Sequence, residues 1–132
     1  MVLADGNGIP LAIDIASANR AEVSLIEPLI DSAVTEHVPP RLIYDKAADS
    51  DKLRDRLAER NIDLICPHRK GRVSPSKQDG RKLKRYKRRW IIERTISWLH
   101  DFRRIVTRFE VYSFLFDAFA KFAATMIAFK RL

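Results

Sequence analysis

The sequence predicts a mixed α/β protein, and three observations carry that prediction. Short apolar runs bounded by Gly, Pro and Asp are typical of strands, and apolar side chains spaced three or four residues apart are typical of helices. A strand–helix–strand order lies between residues 41 and 66. The 132 residues, of which 46% are hydrophobic, fit one domain with a real core and exclude wholesale disorder.

The first elements read as a β-hairpin followed by a helix. Residues 1–5 and 9–16 predict two strands, and DGNG at 5–8 predicts the tight turn between them, since Gly and Asn tolerate positive φ. Pro10 lies near the start of the second strand, where a missing N–H is tolerated. Residues 21–33 then show helical spacing, with Pro28 as a kink point, and Pro39-Pro40 ends that element.

A βαβ unit is predicted next. RLIY at 41–44 reads as a buried strand that ends at Asp45. Ser50 reads as the N-terminal cap of a helix over 51–60, and Asn61 as its C-terminal cap. IDLIC at 62–66 reads as the second strand, so the two strands are expected to be parallel.

The rest of the chain reads as a loop and two long helices. Residues 68–84 are polar, basic and rich in Gly, Ser and Pro, which predicts a mobile loop or linker. One helix is predicted from Arg85 to about Glu110 and another over about 113–130. We interpret their apolar stripes as core or partner-helix packing: Ile92, Ile96, Leu99, Phe102, Val106 and Phe109 in the first, and Leu115, Phe119, Phe122, Met126 and Phe129 in the second.

The charge is distributed very unevenly along the chain. Residues 1–66 carry 7 Lys and Arg against 12 Asp and Glu, whereas residues 67–132 carry 18 against 5. The segment 68–94 holds 12 of these cations, interleaved with Tyr86 and Trp90. A merely solvated face is one interpretation. Dense charge of one sign beside aromatic rings favours a polyanionic partner, with nucleic acid ahead of a membrane.

Several classes of protein and site are excluded or disfavoured. One Cys excludes a disulfide framework and a four-cysteine zinc site, and Cys66 reads as a small buried apolar residue. The three His residues lack metal-ligand spacing, and no Walker loop, GxGxxG or nucleophile elbow is present. The start lacks the pattern of a signal peptide, and no long uncharged apolar run occurs, so we expect a cytoplasmic protein.

Asp45 and Glu93 are the candidate catalytic and metal-binding acids. Asp45 follows a buried strand, at the sheet edge where open α/β sheets place ligands, and carboxylates are ligands that hard divalent cations prefer. Asp49 and Asp51 follow it. All three also fit helix-start acids that interact with the helix dipole. Glu93 is isolated in the basic segment, and it fits either a metal ligand or a surface pair with Arg89.

Three stretches carry a resemblance to a known family. ADGNGIPLAIDIASANRAE at 4–22, LIYDKAADSDKLRDRLAERNIDLICPHRKGR at 42–72 and YKRRWIIERTISWLHDFRRIVTRFE at 86–110 resemble the C-terminal part of bacterial insertion-sequence transposases of the DDE class, in the IS four/five-like group. The family signature is Tyr, two residues, Arg, three residues, Glu, six residues, then Lys or Arg. It is matched by Tyr86, Arg89 and Glu93.

The resemblance implies a ribonuclease H-like fold and DNA transposition by metal-dependent strand nicking and strand transfer. It makes Asp45 the second catalytic aspartate and Glu93 the catalytic glutamate, both binding Mg²⁺ or Mn²⁺. It also implies contacts with the DNA of transposon ends through Lys84, Tyr86, Lys87, Arg88, Arg89, His100, Arg103 and Arg104. The expected domain is a partial ribonuclease H-like catalytic domain over 1–132, with a sheet portion at 1–66, a basic loop at 67–84 and helices at 85–132.

The sequence departs from the family at three places. His100 stands where the family has Lys or Arg, and Ala47-Ala48 stands where it has Gly-Tyr. The first catalytic aspartate is expected on a strand before residue 1, so we expect little transposition by this chain alone. An upstream transposase reading frame or a decayed copy explains that departure, and homo-oligomers are another expected partner. The alternative is a non-catalytic, basic DNA-binding or interaction module that inhibits intact transposase.

Overall fold

The computed structural model of the protein describes residues 1–35 and 37–131. Its backbone forms two compact units, residues 1–36 with 90–132 (the hairpin unit) and residues 37–89 (the parallel-pair unit). In chain order the elements are β1 (Val2–Ala4), β2 (Pro10–Ile13), α1 (Val23–Asp31), β3 (Arg41–Ile43), α2 (Asp51–Glu59), β4 (Asp63–Ile65), α3 (Gly80–Leu83), α4 (Trp90–His100), α5 (Arg103–Val106) and α6 (Ser113–Arg131), with 3₁₀ turns at Lys46–Ala48 and Lys84–Arg89.

The predicted hairpin is confirmed. β1 and β2 pair antiparallel, with Val2 opposite Ile13. In the turn between them, one carboxylate oxygen of Asp5 accepts the backbone N–H groups of Asn7 and Ile9, each at 2.8 Å. Gly8 has a φ of +85°, in the left-handed region that favours glycine. The turn residues therefore act as the sequence predicts.

The core of the hairpin unit is built on the small side chains of α6. Its buried cluster consists of Ile13, Leu99, Ala120, Ala123, Ala124 and Ile127. Alanine side chains let α6 approach β2 closely, which packs the helix tightly against the sheet. Of the two interpretations of the Phe stripe of this helix, core packing does not hold for Phe122 and Phe129, which are 61% and 80% exposed, and partner-helix packing stays a prediction. The helix itself, predicted over 113–130, is confirmed.

The predicted long helix over 85–110 is also wrong. Residues 84–89 form a 3₁₀ turn, α4 ends at His100, and Phe102 is extended, with φ −91° and ψ 106°. Phe102 and Ile105, on the two sides of the break, both pack against the core cluster. The predicted apolar stripe is accordingly divided: Leu99 is buried, whereas Val106 is 60% exposed.

The parallel-pair unit confirms the predicted βαβ order. β3 and β4 are parallel, with Leu42 opposite Leu64, and α2 packs against β4. The hydroxyl of Ser50 accepts the N–H of Leu53 at 3.4 Å, as expected of an N-terminal cap. Asn61 follows α2 with a φ of +59°, as expected of a C-terminal cap. Short local signals thus predicted both ends of this helix.

The described residues bear out the mixed α/β class. Their strands form two separate two-stranded sheets, β1–β2 and β3–β4. A single ribonuclease H-like sheet is not formed among them, so that finer assignment stays an expectation from the family resemblance. None of the described helices is both long enough and apolar enough to cross a membrane.

Candidate functional site

Asp45 lies at the carboxyl end of β3, where the sequence placed it. Its backbone is extended, and its Oδ1 accepts the N–H of Ala47 at 2.7 Å, so the side chain caps the 3₁₀ turn 46–48. This is the structural role that the sequence left open for a helix-start acid. Capping engages one carboxylate oxygen, and a carboxylate has two, so the same side chain can also bind a cation.

Asp49 and Asp51 are held in an ion cluster. The Asp49 side chain is 5% exposed and its Oδ1 lies 2.8 Å from Nη1 of Arg72. Asp51 pairs with the other guanidinium nitrogen of Arg72, and its Oδ1 lies 3.7 Å from Nζ of Lys77. These two acids therefore serve mainly to hold the segment that follows β4.

The pKa of both acids reflects this cluster. Burial acts to raise the pKa of Asp49, but the hydrogen bonds from Arg69 and Arg72, with the charges of Arg72 and His68, outweigh it and lower the pKa. The hydrogen bond from Arg72 lowers the pKa of Asp51, against a smaller effect of burial. Both carboxylates are therefore ionised near neutral pH.

The segment after β4, predicted as a mobile loop or linker, contains a short helix and is joined by a hydrogen bond to the residue that follows β4. Its last part is helical, because α3 spans Gly80–Leu83 and Asp79 caps it by accepting the N–H of Arg81 at 2.8 Å. Oε1 of Gln78, just before α3, accepts the N–H of Cys66, which directly follows β4, at 3.2 Å. Cys66 is buried, as expected, and burial raises the pKa of its thiol.

The basic residues 84–89 form a 3₁₀ turn rather than the start of an α-helix. A 3₁₀ helix has three residues per turn, so residues three apart share a side. Tyr86 and Arg89 are such a pair: Nη1 of Arg89 donates to the Tyr86 hydroxyl at 2.8 Å, and the guanidinium lies 5.7 Å from the ring centre. Lys84, Lys87 and Arg88 are exposed. Tyr86 therefore lies in a 3₁₀ turn that precedes α4, and not in the long helix predicted from Arg85.

Glu93 lies exposed in the first turn of α4, and the residues after it hold the helix to the hairpin. Nη2 of Arg94 donates to the carbonyl oxygen of Asn7 at 2.6 Å. The same guanidinium lies 4.8 Å from the ring of Trp90 and 4.9 Å from that of Trp98. α4 is therefore fixed on the hairpin turn next to Glu93.

The last three predicted DNA contacts lie at and beyond the end of α4. His100 is the final residue of that helix and is exposed, as is Arg103. Nη1 of Arg104 donates to Oε1 of Glu110 at 2.7 Å, and its guanidinium lies 4.7 Å from the Phe119 ring centre. The charge of Arg104 is therefore partly compensated by that of Glu110.

The predicted site residues divide between the two units. The parallel-pair unit contains Asp45, Lys84, Tyr86, Lys87, Arg88 and Arg89, and the hairpin unit contains Glu93, His100, Arg103 and Arg104. Among residues 1–35 and 37–131, no group of three His, Cys, Asp or Glu side chains could hold a metal ion. The Asp49–Arg72 pair was missed, because no local pattern links residues 23 positions apart.

Comparisons with known proteins agree with the resemblance. The family model described as "Transposase DDE domain" matches residues 1–121. The chain is similar to a protein from Burkholderia cepacia named as a candidate transposase for insertion sequence element IS402, with 34% identity over 139 aligned positions. The alignment covers 99% of this chain and 62% of that relative, so the chain spans less than two thirds of the relative's length. No solved structure matches.

Proposed function

The chain belongs to the transposase DDE domain family, and from this premise we propose that it is part of an insertion-sequence transposase. In this proposal it binds the DNA of transposon ends and contributes Asp45 and Glu93 to metal-dependent strand cleavage and transfer. The observation that carries the proposal is the family match over 1–121, which includes both acids and the basic 3₁₀ turn.

DNA binding is supported by the exposed cations of the basic 3₁₀ turn, residues 84–89. The three-residue period gives Lys84 and Lys87 one side of the turn and Arg85 and Arg88 another. All four are exposed, so they can reach phosphates without first leaving a buried site. Tyr86 is half-buried and bonded to Arg89, which supports a positioning role for this pair. Contacts of this kind bind the DNA backbone without reading its sequence.

The two acids have the right chemistry for the metal that the family implies. Mg²⁺ and Mn²⁺ prefer oxygen ligands, and Asp45 and Glu93 would each supply a carboxylate. Paired divalent ions, when bound, activate the attacking oxygen and stabilise the leaving one. The family resemblance implies a third carboxylate, and none of the described residues completes a group of three. β3 and the capped turn fix the position of Asp45, which supports this role.

A second candidate function, a DNA-binding or interaction module without catalysis, is favoured by one observation. α6 exposes an aromatic side, on which Phe114, Phe122 and Phe129 are 66%, 61% and 80% exposed. A large exposed apolar patch is typical of a protein–protein contact. Such a module would bind DNA through 84–89 and inhibit intact transposase by joining it through α6.

One set of experiments separates these functions. The full chain is titrated onto a fluorescent DNA duplex at several salt concentrations, and is then incubated with supercoiled plasmid and Mg²⁺ or Mn²⁺. The proposal expects salt-dependent binding and, since none of the described residues completes a group of three carboxylates, at most a weak metal-dependent nick, which Asp45→Asn and Glu93→Gln abolish while they retain binding. Asp55→Asn, an exposed acid on α2, is the matched control. Binding without a nick would favour the module, and no binding at low salt would contradict both.

A further inference from the structure

The buried carboxylate of Asp49 receives the start of the segment after β4 from several directions. One oxygen accepts the backbone N–H of Arg69 at 2.9 Å, and the other accepts Nη1 of Arg72 at 2.8 Å. Nδ1 of His68 lies 3.1 Å from the first of these oxygens. With the side chain 5% exposed, few of these contacts are open to competing water. Asp49 therefore fixes the backbone at 69 and the side chain at 72.

Residues 69–72 form a tight turn between those two attachments. The N–H of Arg72 donates to the carbonyl oxygen of Arg69 at 3.3 Å, and Gly71, the third residue, has a φ of +80°. Positive φ at that position is typical of a type II turn. Arg69 and Lys70 are exposed on the turn, whereas Arg72 folds back onto Asp49. Two cations of the turn, Arg69 and Lys70, therefore face solvent, and the third, Arg72, anchors the turn to Asp49.

The other end of the segment is also attached. Gln78 accepts the N–H of Cys66 at 3.2 Å, which closes residues 67–77 into a loop. Arg54, on α2, donates through Nη1 to the carbonyl oxygen of Leu64 at 2.6 Å, and its Nη2 lies 3.9 Å from Oδ1 of Asp49. The loop is thus held at its base by Gln78 and at its turn by Asp49.

We infer that Asp49 is a positioning residue for DNA binding, which holds the 69–72 turn so that Arg69 and Lys70 contact phosphates of the backbone. The inference rests on the proposed DNA binding and adds two contacts and the residue that orders them. A side chain presented by an ordered turn loses less conformational entropy on binding than one on a mobile loop. Arg72, whose charge is compensated by Asp49 and Asp51, holds the turn in place and does not contact a phosphate.

A positioning role and simple electrostatics predict opposite changes in DNA affinity when Asp49 is replaced by Ala. Asp49→Ala removes a negative charge from a protein that binds a polyanion, so charge alone would tighten DNA binding. Loss of positioning instead weakens it, because Arg69 and Lys70 are no longer presented together. Asp55, an exposed acid on α2, gives no such reversal, so Asp55→Ala is the matched control and is expected to leave binding unchanged or slightly tighter.

The experiment measures DNA affinity of the full chain against salt concentration for the wild type, Asp49→Ala, Asp49→Asn and Asp55→Ala. It also includes the Arg69→Gln/Lys70→Gln double variant, alone and combined with Asp49→Ala. Each phosphate contact contributes about 0.9 to the slope of log affinity against log salt, so the double variant lowers the slope by about 2. Asp49→Ala is expected to lower it by a similar amount, and the combination to go no further. Circular dichroism confirms that each variant is folded, and Asn at 49 keeps the size of the side chain.

The outcomes distinguish this inference from the proposal on which it rests. Wild-type binding with unchanged or tighter binding by both Asp49 variants would overturn the positioning role and leave DNA binding intact. Additive losses in the combined variant would overturn it as well, since Asp49 would then not act through Arg69 and Lys70. No wild-type binding at low salt would overturn the proposed function, and this inference with it.

Discussion

The hydroxyl of Thr95 donates a hydrogen bond to the carbonyl oxygen of Gly8 at 2.7 Å, across 87 residues of sequence. Thr95 is fully buried, and its oxygen also lies 3.1 Å from the carbonyl oxygen of Ile91. Because Glu93 lies two residues before Thr95, this bond determines where the proposed catalytic acid stands relative to the hairpin. If the hairpin moved away from α4, the buried hydroxyl of Thr95 would lose this hydrogen bond, which favours the observed position of the helix.

Replacing Thr95 by Val tests that bond, because Val keeps the shape and removes the hydroxyl. The carbonyl of Gly8 then loses its buried donor, so we expect the free energy of unfolding to fall by about 1–3 kcal/mol, measured by urea denaturation. Thr95→Ser is the control, since it keeps the hydroxyl and removes one methyl group. If Thr95→Val were as stable as the wild type, the hydrogen bond would have no net role in stability.

Gly8, which accepts the hydrogen bond from Thr95, gives a second prediction. A Cβ at Gly8 would stand 3.0 Å from both Nη2 of Arg94 and Oγ1 of Thr95, at a φ of +85°. At Gly71 the φ is +80°, and no atom lies within 4 Å of such a Cβ. Gly71→Ala should therefore lose only the backbone preference, about 1 kcal/mol, and Gly8→Ala distinctly more. Equal losses by thermal or urea unfolding would contradict the close approach of α4 to the turn.

Local signals predicted much of the fold, and contacts distant in sequence account for what they missed. Ser50, Asn61 and the turn around Gly8 act on the backbone within a few residues of themselves, so their roles can be predicted from neighbouring residues. The position of Asp45 at the end of β3 was predicted for the same reason, because the strand lies only two residues before it. The bond from Arg72 to Asp49 joins positions 23 residues apart, and nothing in the spacing of the chain indicates it.

The buried side of α6 could not be predicted either, because it depends on the surface that the helix meets. Hydrophobicity favoured the Phe side, while close packing on β2 selects the Ala side. Ile127 is 5% exposed, so we expect Ile127→Ala to lower the free energy of unfolding by about 2–5 kcal/mol. Phe129 is 80% exposed, so Phe129→Ala should change it by about 0.5 kcal/mol or less. A larger loss for Phe129→Ala than for Ile127→Ala in urea denaturation would indicate that the Phe side of α6 packs in the core.

Acid should destabilise the protein through Asp49. Its pKa is lowered on folding, so the unfolded chain binds the proton more readily. The stabilisation is fully present above the ordinary aspartate pKa of about 4 and is lost as pH falls through the lower pKa of the folded state. Wild type should therefore exceed Asp49→Asn in stability at pH 6, and the difference should shrink towards pH 2.

Thermal melts of both proteins between pH 2 and pH 6 check this expectation. Asp55→Asn is the control, because its side chain is 68% exposed and makes only a 4.0 Å approach to Lys77, so its effect should be small at every pH. A constant difference between wild type and Asp49→Asn across the range would show that the Asp49 cluster does not couple folding to protonation.

The last prediction concerns the exposed cations of the basic 3₁₀ turn. Replacing Lys84, Lys87 and Arg88 by Gln removes three charges from one short element that carries no buried residue. Since each phosphate contact adds about 0.9 to the salt slope, the triple variant should lower the slope of DNA binding by roughly 2 to 3 while thermal stability stays close to wild type. A charge-matched control replaces Arg20, Lys52 and Arg56, which are exposed outside the basic segment. Because both variants change net charge equally, an equal loss of slope would mean that DNA responds to total charge and does not contact this turn.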